Sequence, residues 1–312
     1  MKALDGVHTM PLGDYAWLQA VQPVDWREAP EASNDEFAAL VDRMRQARKA
    51  GAGLVWFVGS QVLEEGLGGY LVQLLQSGWM TLLATTGAGL EYDVQAALTG
   101  WTGFSQRLPE DLPKLGMWQE IGEVTKAALA LEEAADGSLG ERLGSYFASN
   151  PPPYPTLSIL CQGERLGIPV TAHLTIGADE IHTHPGLDFR RLGQAAGEDF
   201  RIFCHGVSQL EHGVFLNVGS QVTGVEVFLK ALSIVRNLGY GVHHLTTANF
   251  DWIHLGDYRR KVGYNDWEYY YRPRKNVVHR PTSLGGQGFH FEGAHQDWLP
   301  RLVRALGRSS GC

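Results

Sequence analysis

The sequence predicts an α/β protein built on a mostly parallel sheet with helices on both faces. Three observations lead there. Short runs such as "GLVWFVG" (53–59) and "GVFLNVG" (213–219) are almost continuously apolar, as strands buried on both faces are. They alternate with stretches of helical period. The pentapeptide "VGSQV" occurs twice, at 58–62 and 218–222, each time between such a run and a helix-like stretch.

Residues 1–34 are read as an N-terminal extension. Ser33 and Glu36 then stand in capping-box spacing, and Phe37, Leu40, Val41 and Met44 form one apolar stripe that Gly51 ends. After the strand at 53–59, "QVLEEGLGGYLVQLLQSG" (61–78) reads as one helix with Val62, Leu67, Leu71, Leu74 and Leu75 apolar. "WMTLLAT" (79–85) is a strand, "TGAG" (86–89) a turn and "LEYDVQAALTG" (90–100) a short helix. Beyond residue 160 the alternation resumes. "GIPVTAHL" (167–174) and "GVFLNVG" are strands, "TGVEVFLKALSIVRNLG" (223–239) is a helix, and "YGVHHLTTA" (240–248) is a strand. The proline cluster "SNPPPYP" (149–155) is taken as a loop inside one domain spanning 1–312, because the strands on both sides have the same character.

Bulk properties exclude several classes. A chain of 312 residues with 44% hydrophobic content can bury a sizeable core. A net charge of −8 gives no footprint for nucleic acid or an anionic membrane. No apolar run approaches a membrane span, and the first residues show no signal-peptide core. Cys161, Cys204 and Cys312 have neither zinc spacing nor a disulfide pattern. The expectation is a cytoplasmic protein.

In open parallel sheets, ligands bind where strands end and helices begin. Both "VGSQV" copies lie at such places, as do "TTGAG" (85–89) and "LTTANFD" (245–251). Small residues let backbone approach a ligand, and helix N-termini offer amides to phosphate. Four such loops suggest a nucleotide site, although Gly-Ser after a strand is also an ordinary tight turn. Neither GxGxxG nor GxxxxGK[ST] occurs. No alignable repeat extends beyond the pentapeptide, so the two copies are read as loops that meet at one ligand and not as a duplicated domain.

The stretch from "FVGSQV" to "QAALTG" (57–100) resembles the N-terminal half of the deoxyhypusine synthase family. "GIPVTAHLTIG…HPGLDF", "GVFLNVGSQV", "TTANFD" and "QDWLPRLVRALG" are similar to later parts of that family in the same order. The resemblance covers most of 35–307. It implies a single Rossmann-like domain that binds NAD in its strand-end loops and forms a homotetramer of dimers with sites at the dimer interface. It also implies transferase chemistry on a polyamine, held as an imine on a lysine. Gly59, Ser60 and Gln61 match the first cofactor loop, with Gln for the family's Asn. Thr85, Thr86, Gly87, Gly89 and Glu91 match the second, although Tyr92 replaces its second acid. Gly219 and Ser220 match the third, and Thr247, Ala248, Asn249 and Asp251 the fourth.

Departures fall on the polyamine side. Ile176 stands where the family has an acid, the histidine pair after the third loop is missing, and so is the "WGK" that carries the nucleophilic lysine. Lys275, in "YYYRPRKNVV", is the nearest equivalent. Arg272, Arg274 and Arg280 surround it in sequence and could favour its neutral, nucleophilic form; a solvated basic turn is the bland alternative. Tyr269–Tyr271 could wall a cationic substrate or pack at a subunit interface. His173, His182 and His184 could approach a metal, and His243 and His244 adjoin the fourth loop; the expectation is structural histidines and no metal. The overall expectation is an NAD-dependent transferase or oxidoreductase acting on an amine or polyamine-like substrate, divergent from the family. The alternatives are a non-catalytic nucleotide-binding regulatory protein and, more weakly, a histidine-based metal-dependent hydrolase.

Overall fold

The computed structural model describes residues 6–14, 19–21, 30, 34–103, 116–131 and 136–307. Ser33 and Cys312, named above, lie outside the described residues. Six strands form the central sheet: β1 (Leu54–Val58), β2 (Leu82–Thr86), β3 (Val170–His173), β4 (Val214–Val218), β5 (Thr246–Asp251) and β6 (Gln287–Glu292). Their order is β3-β2-β1-β4-β5-β6, and every pairing is parallel. The chain therefore winds outward from β1 to one edge, returns to the centre, and winds outward again from β4. The β1/β4 boundary is where the winding reverses, and open α/β sheets bind ligands at such a boundary.

Strand composition follows from burial on two faces. Along β1, Leu54, Trp56 and Val58 enter one core, while Val55 and Phe57 enter the other. The first core is the larger. It takes apolar residues from α1 (Asp35–Ala50), α3 (Gly68–Gln76), α4 (Gly87–Thr99), α5 (Gln119–Ala130), α6 (Leu139–Ser149), α7 (Ile159–Leu166) and α10 (His295–Gly307). The second core is closed by α8 (Phe189–Ser208) and α9 (Thr223–Asn237), with Phe203, Val207, Phe228 and Leu232 fully or almost fully buried. Strands from both sides of 149–155 belong to the one sheet. No helix among the described residues is long and apolar enough to cross a membrane.

Helix ends are set by local chemistry. Asn34 caps α1, its side chain accepting from the amides of Glu36 and Phe37 at 2.8 and 3.4 Å. Gly51, at φ 69°, closes the helix as the amides of Gly51 and Ala52 return to Arg48 and Ala47. Two buried aspartates close helices at long range. Asp93 accepts from Ser158 and from the amides of Ile159 and Leu160 at the start of α7. Asp199 accepts from the amides of Leu139 and Gly140 at the start of α6. Burial pushes Asp199 up to about 8 against these hydrogen bonds.

Three sequence expectations fail locally. The single helix over 61–78 is broken into α2 (Ser60–Glu64) and α3, because Gly66 takes φ 76° and the amides of Gly66 and Leu67 turn back to Leu63 and Val62. "TGAG" is no turn. Thr86 caps α4 directly, its hydroxyl accepting from Gly89 N, and the helix runs from Gly87. The strand expected over 240–248 begins only at Thr246, because the amides of His243 and His244 are taken by the Glu211 carboxylate before the ladder starts.

Candidate functional site

The two "VGSQV" loops meet. β1 and β4 are adjacent, with Val58 paired to Val218. The Gly59 amide donates to Val218 O at 2.8 Å, and the Gly219 amide continues the ladder to Phe250 O at 3.0 Å. A Cβ on Gly59 would lie 2.2 Å from Gly219 O, so the two loops can approach this closely only without a side chain there. Gly219 itself holds φ 70°, a conformation that suits glycine.

Together these loops bound a cleft of about 330 Å³ at the carboxyl ends of the strands. Gly59, Ser60, Gln61, Gly219 and Ser220 line it, with Thr86 from the end of β2 and Asp251 from the end of β5. Those seven were expected from sequence. The remaining expected residues sit behind the cleft and do not line it. Thr85 donates its hydroxyl to Val58 O at 2.9 Å, and Thr247 donates to Val277 O at 2.7 Å. Gly87 packs against the Asp179 carboxylate, and Gly89 carries the amide that Thr86 caps. Ala248 is core. Glu91 is buried and accepts from Ile181 N at 2.8 Å. Burial, with Glu180 and Asp179 nearby, drives its carboxyl well above the ordinary range.

Asn249 belongs to a buried polar chain beneath the cleft. Asn217 donates to Asn249 Oδ1 at 2.7 Å and to Ser220 O at 2.8 Å, which fixes the second loop from below. Asn249 Nδ2 lies 3.1 Å from both Tyr271 Oη and His290 Nδ1. His290 Nε2 lies 3.0 Å from Ile253 O. A carbonyl only accepts, so His290 carries its proton on Nε2 and its Nδ1 accepts from Asn249. Burial lowers the His290 pKa and keeps the ring neutral. Tyr271 donates to Asp251 Oδ2 at 2.7 Å, while Gln221 Nε2 is 3.2 Å from Asp251 Oδ1. Burial, then the Asp251 charge, raises the Tyr271 hydroxyl, so it remains a donor. The Asp251 carboxylate is thereby held in a fixed orientation at the cleft.

His295 was missed by sequence reasoning. It stands at the start of α10, after β6, and lines the cleft at only 4% exposure. Its Nδ1 faces Glu65 Oε2 at 3.7 Å, and its buried Nε2 has no hydrogen-bond partner among the described residues. That nitrogen lies 2.8 Å from where a Cβ on Gly219 would stand. A buried polar nitrogen without a partner is costly, and this one belongs to a residue that lines the cleft. Gln221 and Val222, from the second "VGSQV" copy, also line the cleft, as do Thr223 and Trp252, which were not expected. "EGAHQDW" carries no motif that could have revealed His295; only the fold of β6 back beside β5 brings it here.

Lys275 does not line the cleft. It lies in a π-helical turn, Arg274–His279, with its ammonium 4.8 Å from the centre of the Tyr269 ring, a cation–π contact. Arg272, from the same segment, pairs with Glu226 at 3.6 Å. Ile176 is 89% exposed and borders a separate apolar groove with Leu174, His182 and Phe189.

The histidines expected as a weaker metal set are not brought together as ligands. His173 is buried between Phe57 and Phe203, with Nε2 at 3.1 Å from Thr171 Oγ1. His182 stacks on Phe189, and His184 is buried under α5 beside Gly122. This removes the structural basis for a hydrolase built on them.

Neither a protein-family model nor a curated protein matches the sequence. Solved structures do share the fold. ArgZ, an arginine dihydrolase from the ornithine-ammonia cycle in cyanobacteria, aligns with a TM-score of 0.51 at 14% identity, over 89% of this chain and 34% of that one. AgrE, in a ternary complex with ornithine and NAD+, aligns at 0.50 and 13% identity, over 89% of this chain and 33% of that one. A LOR/SDH protein from Methanococcus maripaludis S2 aligns at 0.50 and 16% identity, over 96% and 74%. The chain thus spans about a third of the length of ArgZ and AgrE. A chain assigned as a deoxyhypusine synthase from Entamoeba histolytica aligns at 0.34 and 13% identity, over 64% and 66%. What these likenesses establish is the α/β fold.

Proposed function

We propose that the cleft at the β1/β4 boundary binds NAD and that the chain is an NAD-linked enzyme acting on an amine or amino-acid substrate. The observation that supports this most is the apposition of Gly59 and Gly219 where the sheet's winding reverses, beside His295, whose Nε2 has no hydrogen-bond partner among the described residues. The residues present fit a dinucleotide. The glycine cradle admits close backbone approach, and α9 begins at the cleft, where the Ser220 hydroxyl takes the Gly224 amide. A volume of about 330 Å³ falls within the range of small-molecule sites. AgrE, of the same fold, is seen with ornithine and NAD+, which is consistent with this reading.

When bound, NAD supplies a hydride acceptor for the carbon that bears the amine. The chain's own groups do the rest. Asp251, oriented by Tyr271 and Gln221, offers a carboxylate to a ribose hydroxyl. His295 Nε2 takes the proton released as the C–N bond becomes an imine, and Glu65 holds its ring from the other side. Gly59, Ser60 and Gln61 with Gly219 and Ser220 form the walls. Lys275 has no step here, since it lies outside the cleft lining; oxidation is therefore favoured over transfer through a lysine imine. The test follows NADH absorbance with NAD+ and a panel of amino acids and amines. Wild type should turn over at least one of them, and His295→Asn should lose turnover while still binding NAD+. No NADH from any substrate, with no NAD-induced rise in melting temperature, would overturn the proposal.

A further inference from the structure

At the opposite end of the sheet, a second set of side chains converges. Glu211 and His212 immediately precede β4, and His243 and His244 precede β5, so they sit at the amino ends of strands whose carboxyl ends bound the cleft. Glu211 Oε1 lies 2.6 Å from His244 Nδ1 and 3.6 Å from His212 Nε2. One ligand atom from each of the three residues falls within 4.8 Å of the others. The two imidazoles are stacked, with centres 5.5 Å apart and planes at 16°.

The surroundings hold these groups in place. Glu211 Oε2 accepts from the amides of His243 and His244 at 2.6 and 3.0 Å. His212 has φ 57°, which makes it the non-glycine residue with positive φ among those described. That conformation is unfavourable for a residue with a Cβ, and the imidazole lies beside Glu211. Gly285, in the loop before β6, packs on the His244 ring: a Cβ there would lie 3.0 Å from His244 Cδ2.

We propose that Glu211, His212 and His244 form a binding site for a divalent transition metal of the zinc class, clamping the loops at the amino ends of β4 and β5. Two imidazoles and one carboxylate suit Zn²⁺, Co²⁺ or Ni²⁺, whereas Mg²⁺ and Ca²⁺ prefer oxygen throughout. His244 Nδ1 and Glu211 now share a hydrogen bond; the metal takes the place of that proton, and solvent supplies the fourth ligand. The backbone amides on Glu211 Oε2 remain as the outer partners that orient the carboxylate. The site stands apart from the cleft, so it does not depend on the NAD reading.

The test uses the untagged full chain after chelator treatment, titrated calorimetrically with Zn²⁺ and optically with Co²⁺. Wild type should bind one metal ion per chain and melt at a higher temperature when loaded. His212→Asn keeps a residue that tolerates left-handed backbone yet removes the imidazole. It and His244→Ala should each weaken Zn²⁺ binding at least tenfold, the lower end of what loss of even an outer partner costs. Both side chains are exposed, so folding should survive, as an unchanged metal-free melting curve would verify. Binding equal in wild type and the double variant, or none in wild type, overturns the proposal; so does a Co²⁺ spectrum that neither substitution alters.

Discussion

The same five residues, Val-Gly-Ser-Gln-Val, take two different structures in this chain. At 58–62, Gly59 has an extended backbone with φ −69°, Ser60 starts α2 at once, and Val62 is fully buried in the larger core. At 218–222, Gly219 is left-handed at φ 70°, the helix waits until Thr223, and Val222 is 52% exposed. The serines differ too. Ser60 makes no capping bond, whereas Ser220 is buried and its hydroxyl accepts from Gly224 N at 2.9 Å. Local sequence cannot account for the difference, because it is identical. Neighbours decide it. Asn217 pulls on Ser220 O and Asp251 takes Gln221, so the second loop is drawn across the strand ends. The first copy lines the cleft with its valine anchored in the larger core, and the second lines it with its valine exposed.

Substitutions at matched positions sharpen that contrast. Gly59→Ala should have the largest effect. Its Cβ would meet backbone at 2.2 Å, so the strand-end ladder must shift, at a cost of about 3 kcal/mol in denaturant unfolding, with the cleft lost. Val62→Ala should cost about 2 kcal/mol from the emptied core, against less than about 0.5 kcal/mol for Val222→Ala. Equal costs at the two valines would erase the distinction between the anchored and the exposed copy. Gly219→Ala should cost roughly 1–2 kcal/mol for its left-handed backbone, and it would also press the His295 ring, seen as weakened NAD binding. Smallest is the serine pair. Ser220→Ala should lose about 1 kcal/mol with its cap, and Ser60→Ala only a few tenths.

Much of the fold was legible because buried parallel strands are apolar on both faces. β1, β2 and β4 announce themselves that way, and the strand-end loops follow from them. What failed depended on partners distant in sequence. The expected strand at 240–245 yields to the Glu211 carboxylate, and the helix at 61–78 breaks at a glycine whose left-handed turn the apolar period hides. Half of the expected cofactor-binding residues line the cleft. Others, such as Thr247 and Asn249, belong to the same strands but bond sideways into the sheet. His295 was illegible because no local pattern distinguishes it from ordinary packing residues, and Tyr271 stood out only as part of a tyrosine run, with nothing to pair it with Asp251. Only the return of the chain after β5 and β6 carries them to Gly219 and Asp251.

If the two unequal loops jointly form one dinucleotide cleft, disturbing one of them weakens the whole site. Calorimetric titration of NAD+ into the wild-type chain and into Gly219→Ala, with thermal unfolding to confirm that the variant is folded, shows this. One site per chain is expected in wild type, with affinity reduced at least tenfold in the folded variant. Absence of binding to wild type, or equal affinity in both proteins, would contradict a jointly formed cleft.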